Sequence, residues 1–367
     1  MSDTIGLYIH IPFCKSKCPY CDFFSANSNE SDYDIYCNEL KHKLKYWGGK
    51  TNKEVATVYF GGGTPSVLGA KRLCSLLESV KSNFKIINNP EITVEVNPDT
   101  GKYLDFCALY NTGFNRISIG MQSAVESELR ALGRIHSADD AKQTVINAQN
   151  AGINNISLDL MMGIPNQTID TLENSIKFCA DCKVTHISSY ILKIEEKTPF
   201  YKLKNTLNLA DEDMQAEMYL QSVSLLEKLG YRQYEISNFS VDGFESKHNS
   251  NYWQCGEYIG VGPSAHSFLD GKRFYYDRNM KNFTDNKIVF DGYGGSEDEY
   301  IMLALRLKRG LVFNDFSKKF GKQISDNIIN KAKRLADNKY LEIDDKHICL
   351  TPKGFLVSNA IICELIK

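Results

Sequence analysis

The chain has 367 residues, of which 43% are hydrophobic and 24% charged, and this ordinary globular composition leaves room for one large domain and a smaller one. The formal net charge is -2 and no long basic tract is present, so we expect no nucleic-acid partner. No stretch approaches eighteen apolar residues and the first residues are polar. We therefore expect neither a membrane span nor a signal peptide, and we place the protein in the cytoplasm.

The first half of the chain alternates short β-rich runs with segments of helical periodicity. The runs are GLYIHI, VATVYF, EITVEV, RISIGM, ISLDLM and HISSYIL. The segments between them cover residues 32–47, 70–82, 100–111, 125–150 and 168–182. This pattern predicts an α/β fold with a partial (βα)6 TIM-like barrel, whose functional site lies at the carboxyl ends of the strands.

The pattern changes after about residue 200. A long amphipathic helix over 211–229 precedes the strand-like runs RQYEISNFS and YIGVGPSAHSF, which we expect to form an accessory layer on the open side of the barrel. From about residue 296, helices and a β-rich stretch resemble a winged helix, after a linker over 277–296 rich in Asp, Asn and Gly. The expected domains are 1–200, 201–290 and 291–367.

Cys14, Cys18 and Cys21 form a CxxxCxxC motif directly after the first strand. Three thiolates hold three irons of a 4Fe-4S cubane and leave the fourth iron open to a non-protein ligand. A zinc site fits less well, because zinc motifs pair CxxC with a second Cys or His pair, and none follows.

Gly61-Gly62-Gly63-Thr64-Pro65 follows the second strand. It is not a dinucleotide fingerprint, which needs a third glycine three residues further on and an immediate helix. Glycines here either make a tight turn or let the backbone approach a ligand closely. Polar residues also occur in or after the next three strands, namely Glu95, Gln122 and Asp159.

The cysteine motif, with Tyr20 before its third cysteine, resembles the cluster motif of the radical S-adenosylmethionine (SAM) superfamily. The series YxHIPFC, GGGTP, Glu95 before Asn-Pro, Gly-x-Gln-Ser and DLxxGxP over residues 8 to about 270 resembles the oxygen-independent coproporphyrinogen III oxidase-like branch. The resemblance implies a 4Fe-4S cluster on the three cysteines, with SAM bound beside it. The SAM-binding residues that it implies are Tyr8, Tyr20, Gly62, Gly63, Thr64, Glu95, Gln122, Arg134 and Asp159.

The resemblance also implies which part of the SAM molecule each of these residues contacts. Tyr8 and Tyr20 would flank the cofactor, and Gly62, Gly63 and Thr64 would contact its methionine end. Glu95 would bind SAM as well, and the remaining three would contact the ribose and carboxylate side. Carboxylates suit ribose hydroxyls and arginine suits a carboxylate. Taken singly, Glu95, Arg134 and Asp159 could each instead belong to a structural ion pair.

Two departures distinguish members of this branch. The oxidases, as the resemblance implies, have a fourth cysteine two residues after the motif and an N-terminal extension, whereas here the position holds Phe23 and the motif starts near residue 1. The sequence His248-Asn249-Ser250-Asn251-Tyr252-Trp253 resembles the HNxxYW heme-binding motif of HemW-type heme chaperones. Imidazole is a common axial ligand of heme iron, and Tyr252 and Trp253 offer flat apolar surface. Alternatively, this histidine anchors a polar loop by bonding a carbonyl.

The resemblance implies a heme chaperone that binds the cluster, SAM and heme and transfers heme to acceptor hemoproteins, including acceptors at a membrane. An electron donor would serve the cluster. Two alternatives stay open: oxygen-independent oxidative decarboxylation of coproporphyrinogen III to protoporphyrinogen IX, and radical SAM catalysis on another substrate. The sequence leaves open whether SAM is turned over.

Overall fold

A computed structural model describes residues 4–26 and 29–367. Six parallel strands pair in chain order. They are β1 (Thr4–Ile11), β2 (Glu54–Gly62), β3 (Ile86–Val96), β4 (Arg116–Gln122), β5 (Asn155–Met162) and β6 (His186–Ile191). Side chains of β2 and β6 line the same cavity, so the sheet curves into a partial barrel. The expected fold class is confirmed.

The helices between these strands cover the outer face of the barrel. They are α1 (Glu30–Gly48), α2 (Gly69–Asn83), α3 (Pro98–Gly101), α4 (Phe106–Thr112), α5 (Glu126–Ala131), α6 (Ala138–Asn150) and α7 (Ile169–Asp181), with a 3-10 helix over Pro65–Leu68. Asn29 and Ser137 cap the starts of α1 and α6 in capping boxes, which satisfy the free N–H groups of the first turn. In β1, Leu7 and Ile9 are buried in the core shared with these helices, so the alternate residues face the barrel interior.

The middle of the chain extends the barrel sheet at both edges. Its elements are α8 (Pro199–Leu203), α9 (Glu212–Lys228), β7 (Arg232–Gln233), β8 (Asn238–Ser240), α10 (Lys247–Trp253), β9 (Tyr258–Val261), β10 (His266–Leu269), β11 (Lys272–Tyr276), α11 (Met280–Thr284) and β12 (Ile288–Tyr293). Strand β9 pairs with β1, and β8 pairs with β6. The expected accessory layer is therefore mostly a continuation of the same sheet.

The predicted linker over 277–296 is wrong for most of its length. It contains α11 and β12, and β12 pairs with β11 along five register positions from Lys272 to Tyr276. The domain boundary expected at residue 290 falls inside β12. Some of the Asp, Asn and Gly residues that suggested a linker lie inside these elements, namely Asn282 in α11 and Asp291 and Gly292 in β12, which begins with the apolar run Ile288–Phe290.

The C-terminal part has the element order of a winged helix, as expected. Its elements are α12 (Glu297–Ala304), β13 (Leu311–Val312), α13 (Phe313–Phe320), α14 (Asp326–Ala336), β14 (Leu341–Ile343), β15 (His347–Leu350), α15 (Pro352–Leu356) and α16 (Ser358–Ile366). The three strands form an antiparallel sheet in the order β13-β15-β14. Buried residues of this part belong to the same hydrophobic core as those of the barrel.

No helix within residues 4–26 and 29–367 is both long enough and apolar enough to cross a lipid bilayer.

Candidate functional site

The interior of the barrel holds a cavity of about 630 Å³, a size typical of small-molecule sites. It reaches from the cysteine loop after β1 to residues of β8 and α10. The cavity brings together most of the residues that the sequence singled out: Cys14, Cys18, Tyr20, Cys21, Gly62, Gly63, Thr64, Glu95, Gln122, Arg134, Asp159 and Asn249. Four others, Tyr8, His248, Tyr252 and Trp253, do not line it.

The cysteine loop has hydrogen-bond donors aimed at its sulfur atoms. Thr64 Oγ1 donates to Cys14 Sγ at 3.4 Å, and Arg134 Nη1 donates to Cys18 Sγ at 3.4 Å. Such donors stabilise thiolates, the form that binds iron. In residues 4–26 and 29–367 no three His, Cys, Asp or Glu side chains converge as ligands of one metal ion do. A cubane does not require this, because each thiolate binds a different iron.

The glycine loop after β2 packs directly against the cysteine loop. Gly63 N–H donates to Ile11 O at 2.8 Å, and a Cβ on Gly63 would lie 2.6 Å from Phe13 O. Gly62 has a φ of +112°, and a Cβ there would lie 2.5 Å from the His10 ring. Both glycines are therefore required by close backbone approach, and both also face the cavity.

Glu95 and Asp159 are two buried carboxyl groups on the cavity wall. Glu95 accepts from Tyr59 Oη at 2.8 Å and from Gly62 N–H at 3.1 Å. Burial raises the pKa of Glu95 to about 7, against the lowering effect of these donors. Burial also raises the pKa of Asp159, although Ser118 and Ser157 hydroxyls donate to it at 3.0 to 3.1 Å.

Neither carboxyl group has a cation within 4.0 Å in the described part of the chain, and Arg134 has no carboxylate at that distance. The structural ion-pair interpretation of these residues is therefore wrong. Their oxygens are held by hydroxyl and backbone donors and keep lone pairs for a ligand.

Arg134 joins the cysteine loop to the ends of β3 and β4. Its Nη2 donates to Asn97 Oδ1 at 3.0 Å and to Gly120 O at 2.6 Å, whereas its buried Nε has no partner. Gln122, with a φ of +73°, ends β4 in the left-handed region, which is uncommon for a residue other than glycine. Its Oε1 accepts from Tyr190 Oη at 2.8 Å.

Several cavity residues were missed from the sequence: Tyr59, Arg116, Ser118, Ser188 and Tyr190. Because side chains alternate between the two faces of a strand, the sequence could have indicated most of these residues. Tyr59 lies two residues before Gly61, and Arg116 and Ser118 lie on the same face of β4 as Gln122, so their side chains point to one side of the sheet.

Tyr8 is placed differently from expectation. Its hydroxyl is hydrogen-bonded to His10 Nδ1 at 3.0 Å, and its ring stacks on Tyr59 with centroids 6.2 Å apart. It lines a second cavity of about 280 Å³ together with Tyr252, Cys255 and other residues. Tyr8 therefore does not flank the main cavity, although Tyr20 does.

The HNxxYW motif is helix α10, and its histidine is enclosed. His248 is 1% exposed; its Nδ1 is hydrogen-bonded to Thr57 Oγ1 and its Nε2 to Tyr252 Oη, both at 2.7 Å. Burial, and secondarily Arg116, lowers the pKa of His248 to about 3. One ring nitrogen donates its N–H and the other accepts from a hydroxyl group, so the single lone pair of the neutral ring is not available to iron in this structure. The anchoring interpretation holds, with hydroxyl groups in place of the expected carbonyl.

Helix α10 is attached to the barrel away from the cysteine loop. Glu91 on β3 accepts from the backbone N–H groups of Lys247 and His248 at 2.9 Å each. Thr57 lies in the first half of β2, whereas Gly62 ends that strand beside the cysteine loop. The CxxxCxxC loop and the HNxxYW helix therefore lie at opposite ends of the barrel. Asn249 is the residue of HNxxYW that reaches the main cavity.

The three-cysteine loop at the carboxyl ends of a partial parallel barrel defines a radical SAM protein. Residues 8–179 match the radical SAM superfamily, and residues 298–357 match the HemN C-terminal domain. The superfamily's cofactors are a 4Fe-4S cluster and SAM, and the thiols and the cavity polar groups described above fit both.

Comparison with curated proteins narrows the family. The chain is 34% identical to the heme chaperone HemW of Bacillus subtilis, over 96% of this chain and 97% of that protein. It is 39% identical to HemW of Escherichia coli, over 73% of this chain and 72% of that protein. The chain belongs to the HemW family of radical SAM proteins.

Among solved structures, coproporphyrinogen III oxidase (HemN) from Escherichia coli is similar in fold. It matches with a TM-score of 0.85 and 19% identity, over 100% of this chain and 91% of that chain. This similarity establishes the shared architecture of barrel and C-terminal domain.

Proposed function

We propose that the protein is a heme chaperone, which binds a 4Fe-4S cluster, SAM and heme and transfers heme to acceptor hemoproteins. The observation that carries the proposal is the similarity to curated heme chaperones along nearly the whole chain. The proposal places the protein in the cytoplasm, with acceptors that include membrane-bound hemoproteins and with an electron donor for the cluster.

The cluster would be held by Cys14, Cys18 and Cys21, with SAM beside its open iron. When bound and reduced, the cluster would be able to supply an electron to SAM. The residues that would hold SAM line one continuous wall of the cavity: Tyr20, Gly62, Gly63, Thr64, Glu95, Gln122, Arg134 and Asp159. Glu95 and Asp159 would accept from hydroxyl or ammonium groups, and the unpaired Nε of Arg134 would donate to SAM.

Phe23 supports the chaperone over the oxidase. It occupies the position at which the oxidases have their fourth cysteine, as the resemblance implies, and it is 66% exposed beside the cavity entrance. A phenylalanine offers no ligand or proton there, whereas an exposed aromatic ring suits contact with an apolar ligand or partner.

The heme site would include Asn249, Tyr252 and Trp253 around helix α10. Axial ligation by His248 would require the hydrogen bond at the ligating nitrogen to break and iron to reach a side chain that is 1% exposed. We therefore assign His248 to the support of the motif, and the iron ligand to another group.

Two anaerobic assays on cluster-reconstituted protein test the proposal. In the first, coproporphyrinogen III, SAM and reductant are supplied, and no protoporphyrinogen should form. In the second, heme is titrated by absorbance and its transfer to an apo-hemoprotein is followed. Product formation over many turnovers would overturn the chaperone function in favour of the oxidase, and failure to bind heme would also overturn it.

The His248→Ala variant, with His42→Ala as control, tests the heme-site assignment in the same titration. His42 is an exposed histidine on α1. If His248 only supports the motif, heme bound to the variant should keep the wild-type absorbance maximum, at reduced affinity. A displaced Soret maximum in His248→Ala alone would show that this histidine ligates iron.

A further inference from the structure

Arg116 is a buried cation without a partner. Its side chain is 1% exposed, and its Nε lies among the buried atoms that have no hydrogen bond. Within residues 4–26 and 29–367 its guanidinium makes no hydrogen bond to another side chain or carbonyl and no ion pair within 4.0 Å. Burial of an unpaired guanidinium costs free energy, so a protein retains one where a ligand supplies the missing acceptor.

The two carboxyl groups of the barrel interior, Glu95 and Asp159, accept hydrogen bonds from groups other than Arg116. Glu95 accepts from Tyr59 and Gly62, and Asp159 accepts from two serine hydroxyls. Arg116 acts on both only through its field, which lowers their pKa against the raising effect of burial. The fork of donors on Arg116 is therefore left for another anion.

The neighbours of Arg116 are also incompletely paired. In the parallel register Arg116 lies beside Thr93 on β3 and Asn155 on β5. Thr93 Oγ1 and Asn155 Oδ1 are buried and have no hydrogen-bond partner in the described residues, and the same holds for Asn238 Oδ1 on β8. Unpaired groups concentrated in one region indicate a space that a polar ligand or water fills.

Arg116 lies at the inner end of the main cavity. It begins β4, about 20 Å along the strand from Gln122 at the opposite end, and it lines the cavity with Asn238 and Asn249. The donors that face this space are the guanidinium of Arg116 and the amide of Asn249, whereas Asn238 contributes an unpaired oxygen. A carboxylate is the anion whose two oxygens match an arginine fork.

We propose that Arg116 and Asn249 form a carboxylate-binding subsite at the inner end of the cavity. The carboxylate is a propionate of heme, and this identification rests on the proposed function; the methionine end of SAM, which carries the SAM carboxylate, is placed at the glycine loop beside the cysteine loop. The subsite gives HNxxYW a second task, because Asn249 presents its amide to the cavity while His248 fixes the helix.

Equilibrium binding to reconstituted protein tests the subsite with matched pairs of probes. The pairs are hemin with its dimethyl ester, and SAM with decarboxylated SAM. The proteins are wild type, Arg116→Gln, Asn249→Ala and the control Arg232→Gln, whose side chain is 78% exposed. Arg116→Gln should weaken the binding of hemin about tenfold or more and leave the dimethyl ester and both SAM probes within about twofold.

The SAM pair is the control, because SAM is placed at the opposite end of the cavity from Arg116. Asn249→Ala buries no new charge and should show the same selective loss of affinity, of smaller size. It therefore tests the subsite even if circular dichroism shows that Arg116→Gln does not fold. Equal affinities in all variants, or equal losses for both members of a pair, would overturn the subsite. Failure of wild type to bind hemin would overturn the heme function itself, whereas hemin that binds wild type and every variant equally would overturn the subsite alone.

Discussion

His248→Ala distinguishes a buried anchor from an exposed ligand by its effect on stability. In the structure the imidazole connects Thr57 Oγ1 to Tyr252 Oη and packs on the Tyr59 ring with centroids 5.0 Å apart. Alanine removes both hydrogen bonds, leaves two buried hydroxyl groups without that partner, and opens a cavity between β2 and α10.

The magnitude follows from these losses. Two neutral hydrogen bonds of about 1 kcal/mol each, together with partial desolvation of the hydroxyls and the cavity, give a deficit of about 2 to 4 kcal/mol at about pH 7.5. The folded pKa of His248 is about 3. In wild type the unfolded chain takes up this proton below about pH 6.5 and the folded chain does not.

The deficit should therefore depend on pH. The stability that neutral His248 gives is fully present above its unfolded pKa and falls progressively below it, by about 1.4 kcal/mol at about pH 5.5. Alanine has no such proton, so the difference between wild type and variant should shrink by this amount between the two pH values. His136, whose pKa burial lowers to about 4, contributes equally to both proteins and cancels.

Urea denaturation of anaerobic protein, followed by tryptophan fluorescence, measures the effect. The exposed His42→Ala should stay within about 0.5 kcal/mol of wild type at both pH values. A His248→Ala variant as stable as wild type, or a deficit that does not change with pH, would refute the buried, neutral anchor.

Three further predictions concern the cofactor end of the barrel. Cys18→Ala should abolish the visible iron-sulfur absorbance after anaerobic reconstitution, whereas the exposed Cys107→Ala should retain it. Because the pKa of Glu95 is raised to about 7, wild-type affinity for SAM should fall as pH drops from about 8 to about 6. The Glu95→Gln variant should bind SAM about tenfold more weakly than wild type at about pH 8, and its affinity should not change with pH in this range. If the SAM affinity of the variant falls with pH as that of wild type does, Glu95 is not the group responsible. Gly62→Ala meets the His10 ring at 2.5 Å and should lose at least about 2 kcal/mol of unfolding free energy. Gly69→Ala shares the positive φ but has open space and should lose about 1 kcal/mol; equal losses would exclude the clash as the cause.

The fold of the barrel could be predicted because its signals are local. Each of β1 to β6 is an apolar run of a few residues followed by a helical pattern, and parallel strands joined by helices pair in chain order with one handedness. The cysteine spacing is equally local, since Cys14, Cys18 and Cys21 lie within a single loop. Their ligand chemistry follows from their number and order.

The accessory strands were harder to predict from the sequence, because each pairs with a strand that is distant in the chain or indistinct in composition. Strand β9 pairs with β1 across some 250 residues of chain, and nothing in the run around Tyr258 indicates that partner. Strand β12 was mistaken for a linker, since Asp and Gly residues on both sides resemble loop composition. Its place at the sheet edge depends on β11 beside it.

The amino-acid sequence alone determined that this chain carries a three-cysteine loop, a glycine loop and polar strand ends, because each depends on residues close together in the chain. Only the tertiary structure decided what surrounds His248, Tyr8 and Arg116. Thr57 and His248 are 191 residues apart, and Arg116 is recognised by the partners it lacks. Whether a histidine is a free ligand or an enclosed anchor, and whether an arginine is paired, depends on desolvation and contacts that form only when distant segments meet.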